Sequence, residues 1–116
     1  MSKVSVLVVD DAPFIRDLVR KSLRNHFPGI HIEEAVNGRK AQQMLGKQDF
    51  DLILCDWNMP TKSGLDVHNA MRAAERYQHA IFMLVTAVAE ASQIRSAIEE
   101  GVDDYVKNYL LPSKGY

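Results

Sequence analysis

The sequence predicts an α/β protein built on a parallel sheet with helices over both faces. Three observations carry that expectation. Short apolar runs alternate with amphipathic stretches, the pattern of strand, helix, strand units. The runs are nearly continuous rather than alternating, as strands buried on both faces require. Each also stops at a polar residue, which marks where the chain leaves the sheet.

Taken in order, Val4 to Val9 is a β-branched run that ends at Asp10 and Asp11, with Pro13 placed where a helix can begin. The helix that follows carries Ile15, Leu18, Val19, Leu23 and Phe27 on one face and Arg16, Arg20 and Arg24 mostly on the other, and Pro28 and Gly29 stop it. A weaker strand at His31 to Ala35 leads through Asn37 and Gly38 into a second helix bearing Ala41, Met44 and Leu45, with Gly46 as its stop. Leu52 to Cys55 is a buried strand terminating at Asp56. Asn58, Met59 and Pro60 then form a loop before a helix from about Gly64. Ile81 to Val85 is a fourth strand ending at Thr86, and a fourth helix uses Ile94, Ala97 and Ile98 and closes at Gly101. Tyr105 and Val106 begin a fifth strand. The expected domain is therefore 1–108, followed by a tail at 109–116 that contains Pro112 and Gly115, so the last helix is missing or truncated.

Composition bounds the function. At 116 residues one domain is expected, and with 47% hydrophobic residues, 25% charged residues and a net charge of -1, neither disorder nor a nucleic-acid-binding field is indicated. The single cysteine, Cys55, lies in an apolar run, reads as a core residue and fits a reducing compartment. No run approaches the ~20 apolar residues of a membrane span and no leader is evident, so a soluble cytoplasmic protein is expected. His26, His31, His68 and His79 lack metal-ligand spacing and read as surface or packing residues.

Open parallel sheets bind ligands beyond the carboxyl ends of their strands. Those ends carry Asp10 and Asp11, Asp56, Thr86, and Lys107 or Asn108. In a flavodoxin-like doubly wound sheet of five strands, order 2-1-3-4-5, the first and third strands are neighbours, and the three carboxylates share a pocket. Clustered carboxylates resist ionising unless a cation is present, and Mg²⁺ suits a site of few carboxylates that also accepts a phosphate oxygen. A carboxylate held beside it could attack phosphorus.

The residues LVVDD at Leu7 to Asp11, CDWNMPTKSG at Cys55 to Gly64, VTA at Val85 to Ala87 and GVDDYV at Gly101 to Val106 resemble those of the CheY-like response regulator receiver domains of bacterial two-component signalling. The resemblance covers nearly the whole chain. It implies that Asp56 is the phosphoacceptor, that Asp11 and Asp56 ligate Mg²⁺, that Asp10 acts mainly through a metal-bound water, and that the Asn58 main-chain carbonyl is the third protein ligand. It further implies that Thr86 hydrogen-bonds the phosphoryl group and that Tyr105 changes rotamer on activation. The implied activity is that of a self-phosphorylating switch rather than a turnover enzyme. The implied partners are a sensor histidine kinase or phosphotransfer protein and a downstream effector; composition adds the expectation of no nucleic acid and no membrane.

Two features depart from that pattern. The family's Lys stands three residues after the aromatic and before Pro, where this chain has Asn108 and Tyr109. Lys107 is one residue early, and strand alternation turns it away from the pocket unless a bulge or deletion restores it. The short tail is the second departure; it fits a truncated chain, or a tail ordered by a partner or by a homodimer. These departures favour, as the competing reading, a binding-only pseudo-receiver. Plainer readings stand beside these: Asp10 and Asp11 as helix caps, which can coexist with metal binding, Tyr105 as packing or switch, Lys107 as site residue or solvated strand end, and the Arg face of the first helix as solvated or as a kinase dock. A flavin mononucleotide carrier and an aspartyl-phosphate phosphatase fit less well. The acidic strand ends repel the former's phosphate, and the latter needs a carboxylate where Asn58 stands.

Overall fold

In a computed structural model, residues 4–56, 64–86 and 104–107 are described, with backbone only at 84–86 and 104–107. The strands are β1 (Ser5–Val9), β2 (His31–Ala35), β3 (Leu52–Cys55), β4 (Ile81–Thr86) and β5 (Asp104–Lys107). They form one five-stranded sheet in the order β2-β1-β3-β4-β5, with every pairing parallel. This is the doubly wound flavodoxin-like order expected from the sequence. The expected fourth helix and the expected loss of the last helix, with any homodimer through the tail, fall outside the described residues.

The alternating side chains of β1 explain why its apolar run is continuous. Leu7 and Val9 project into a core with Ala41, Met44, Leu45, Ile53, Cys55, Val67, Met71, Tyr77 and Phe82. That core lies beneath α2 (Gly38–Lys47) and α3 (Gly64–Ala73). Val6 and Val8 project to the other face, where they meet Val19, Ile15 and Leu23 of α1 (Pro13–His26) together with Leu54. The central strands β1 and β3 are thus covered on both faces, and the buried Cys55 is a core residue as expected.

The helix boundaries follow local chemistry. Pro13 opens α1, where its missing N–H loses no bond. The Asn37 side-chain oxygen accepts from the Lys40 N–H at 2.8 Å and caps α2. Gly29 has φ +96°, the left-handed conformation that turns the chain from α1 toward β2. Three expectations are corrected. Phe27 lies beyond the last turn of α1 and is 60% exposed, because the helix ends before its side chain can rotate onto the sheet. Gly46 does not stop α2, which runs to Lys47 with Gln48 as its C-cap. Packing of Met44 and Leu45 outweighs the modest helix penalty of one glycine. Neither Asp10 nor Asp11 caps α1; the N-cap residue is Ala12, with no side-chain bond.

His68 packs edge-on against Phe82, with ring centroids 5.0 Å apart, while His26, His31 and His79 are exposed. Tyr77, in the one-turn helix Glu75–Tyr77, anchors the chain before β4. Its buried hydroxyl donates to the Leu45 carbonyl at 2.8 Å and lies within reach of the Gln48 carbonyl. Tyr77→Phe should therefore destabilise the protein by about 1–2 kcal/mol, since a buried acceptor loses its donor. Thermal unfolding checks this. A midpoint at least about 4 °C lower is expected, and an unchanged midpoint would show that water replaces the phenol. No helix among the described residues is long and apolar enough to cross a membrane.

Candidate functional site

The site forms where β1 and β3, adjacent and parallel, end together. Val9 pairs with Cys55, so the next residue on each strand, Asp10 and Asp56, emerges at the same level. Two backbone bonds fix that level: the Asp56 N–H donates to the Val9 carbonyl at 2.9 Å, and the Asp10 N–H donates to the Ala35 carbonyl at 3.2 Å. The turn into α1 then brings Asp11 to the same place. One carboxylate oxygen from each of Asp10, Asp11 and Asp56 lies within 4.8 Å of the others. The three-carboxylate convergence expected from strand order is thus present, with Asp10 buried, Asp56 half-buried and Asp11 exposed.

Electrostatics in this cluster are unfavourable without a counter-charge. Burial, together with the nearby Asp56 and Asp11 charges, pushes the Asp10 carboxyl up to about 7 from an ordinary 3.8, although the bond it accepts from the Ala12 N–H at 2.9 Å opposes the shift. The donor set fits a small hard cation: three carboxylates, one already oriented by a backbone N–H. The adjacent Cys55 belongs to the wall rather than the chemistry. Burial, then the charges of Asp56 and Asp10, hold its thiol well above the usual range, and its S–H donates to the Asp56 carbonyl at 3.2 Å.

The remaining site expectations are located only in part. Thr86 and Lys107 are the last residues of β4 and β5 and stand in register, and Tyr105 is in register with Leu84. Asn58 lies outside the described residues. One contact beside the carboxylates was not legible in the sequence. Arg16, expected on a solvated face, donates from Nη1 to the Asp10 carbonyl at 2.6 Å and from Nε to Glu34 Oε1 at 3.3 Å. The helical period places Arg16 on the polar side of α1 but does not reveal that β2 brings Glu34 there.

A doubly wound parallel sheet with an acidic pocket across its two central strand ends defines a class of α/β proteins whose ligands bind at the carboxyl edge. Within that class the sequence comparisons are specific. The family described as response regulator receiver domain matches residues 6–110. The chain belongs to that family, the CheY-like receiver domains of two-component signalling, which are signalling switches. It is 38% identical over 103 residues to the chemotaxis protein CheY of Pseudomonas aeruginosa, covering 89% of this chain and 82% of that one. Among solved structures, the chemotaxis response regulator CheY4 of Vibrio cholerae superposes with a TM-score of 0.83 at 27% identity, covering 93% of this chain and 88% of the other. The receiver domain of a sensor histidine kinase from P. aeruginosa PAO1 superposes with a TM-score of 0.81 at 23% identity, covering 93% and 87%. That protein's structure has a magnesium ion coordinated in the active site cleft.

Proposed function

We propose that residues 1–108 form a phosphorylation switch in which Asp56 accepts a phosphoryl group from a histidine kinase or phosphotransfer protein, with Mg²⁺ held by Asp10, Asp11, Asp56 and the Asn58 main-chain carbonyl. The observation that carries this reading is the convergence of three carboxylates at the ends of β1 and β3. Family membership and the magnesium ion in the related histidine-kinase receiver support it. When bound, Mg²⁺ would offset the carboxylate charges and stabilise the negative charge on the transferring phosphoryl oxygens.

The chain's own residues do the rest. An Asp56 carboxylate oxygen attacks phosphorus in line, forming an O–P bond as the N–P bond to the donor imidazole breaks; the imidazole keeps that electron pair and takes up a proton from water. The backbone bond from Asp56 to Val9 fixes the nucleophile's base, and the bond from Ala12 holds Asp10 beside it. Thr86 and Lys107 are assigned to the phosphoryl oxygens, and Tyr105 to the change of surface that follows. The register of Thr86 with Lys107 supports treating them as a pair. If so, Thr86→Ala and Lys107→Ala should each slow phosphorylation by about tenfold or more, whereas Asn108→Ala should leave it unchanged. A silent Lys107→Ala would return Lys107 to the solvated strand end.

The reading is tested by incubating the protein with acetyl phosphate and Mg²⁺. One phosphoryl group per chain is expected, stable in acid, labile in base and absent when EDTA replaces the metal. No incorporation under these conditions would instead favour a binding-only receiver.

A further inference from the structure

We propose that Arg16 is a positioning residue for the metal site, acting through the Asp10 main chain rather than through charge. This rests on the Mg²⁺ reading above and adds to it a residue outside the carboxylate cluster. At the end of β1 three polar groups of Asp10 are fixed by neighbours: its N–H donates to the Ala35 carbonyl, its carbonyl accepts from Arg16, and its Oδ1 accepts from the Ala12 N–H. These bonds set the carboxylate of Asp10 beside those of Asp11 and Asp56. The carbonyl bond is the link that α1 supplies, and at 2.6 Å from a guanidinium it is short and charge-assisted.

Arg16 is itself held. Its side chain is only 13% exposed, and its Nε bonds Glu34 of β2, whose other carboxylate oxygen lies 3.8 Å from Arg20. The guanidinium fork therefore joins three elements at one point, the end of β1, the first turns of α1 and β2. A lysine could not do this, because a single ammonium lacks the fixed fork. Pairing with Glu34 also offsets the Arg16 charge, so the clamp orients Asp10 without setting an uncompensated cation against the incoming metal.

The sign of the charge effect makes the proposal testable. Removing a positive charge near an acidic pocket should tighten cation binding if Arg16 acts only electrostatically. Positioning predicts the opposite. Mg²⁺ affinity is measured by calorimetry on the full chain at neutral pH and fixed ionic strength, with thermal unfolding in EDTA recorded alongside. Arg16→Met should weaken Mg²⁺ binding by about tenfold, in the range that partners of metal ligands contribute. Arg20→Met removes the same charge from the same helix and from the same Glu34, but not a contact with Asp10. It should stay within about twofold of the parent. Should Arg16→Met fail to fold, Arg16→Lys decides, with at least a threefold loss expected. Affinity in the folded Arg16 variant equal to or tighter than the parent, or an equal loss in Arg20→Met, overturns the assignment while leaving the metal site intact. Absence of Mg²⁺ binding to the parent defeats the metal reading and this assignment together.

Discussion

Asp56→Asn should reduce phosphoryl incorporation from acetyl phosphate by at least about a thousandfold while leaving the protein folded, and in EDTA it should raise the thermal midpoint. The loss follows from chemistry, because an amide oxygen is a far weaker nucleophile than a carboxylate and the product would no longer be an acyl phosphate. The retained fold follows from the position of Asp56. Its backbone N–H, which anchors the end of β3 to Val9, survives the substitution. The gain in metal-free stability follows from the cluster, in which the Asp56 charge helps to push the Asp10 carboxyl up. Removing one of three like charges relieves repulsion that burial of Asp10 intensifies. Stoichiometry by intact mass and unfolding by calorimetry report the two effects separately. Full incorporation in Asp56→Asn would move the acceptor elsewhere, and a lower midpoint would mean that Asp56 makes a structural bond worth more than the repulsion it adds.

The second large effect is a pH dependence with an unusual sign. Folding raises the Asp10 carboxyl from 3.8 to about 7. Between about pH 4 and 7 the native state therefore holds a proton that the unfolded chain has released, so metal-free stability falls as pH rises through that window. One pKa unit corresponds to about 1.4 kcal/mol, and after allowance for solvent screening a fall of about 1–3 kcal/mol is expected. Thermal unfolding in EDTA at pH 5 and pH 8, compared between the parent and Asp10→Asn, isolates this contribution from other titrating groups. The parent should lose several degrees more than the variant across the interval, and saturating Mg²⁺ should restore the loss at pH 8. Equal pH profiles for the two proteins would show that Asp10 is ionised at ordinary pH and that the pocket is better compensated than its geometry indicates.

The strands were legible because their signal is local. His31 to Ala35 and Leu52 to Cys55 are bounded by polar residues and turn chemistry, and β2 and β3 have those bounds. The convergence of Asp10, Asp11 and Asp56 was legible for a topological reason: a parallel sheet in this order makes β1 and β3 neighbours, and all three acids follow the apolar runs directly. What escaped depended on partners distant in sequence. The helical period sets Arg16 on the polar face of α1, and only the fold brings Glu34 and the Asp10 carbonyl to it. Gly46 does not end α2, because a glycine ends a helix only where the chain must adopt positive φ, and the packing of Met44 and Leu45 carries α2 past it. Phe27 continues the apolar period of α1 but stands after the helix has ended. Lys107 pairs with Thr86 at the backbone of β5 and β4, a register that periodicity alone does not give.

The central claim is that Asp56 is the phosphoacceptor, and reductive trapping tests it at the bond itself. Borohydride converts an aspartyl phosphate to homoserine, leaving free carboxylates unchanged. After treatment with acetyl phosphate and Mg²⁺, reduction and proteolysis, mass spectrometry should find homoserine at position 56 and aspartate at positions 10 and 11; homoserine at either of those, or aspartate retained at 56 in phosphorylated protein, would contradict the account.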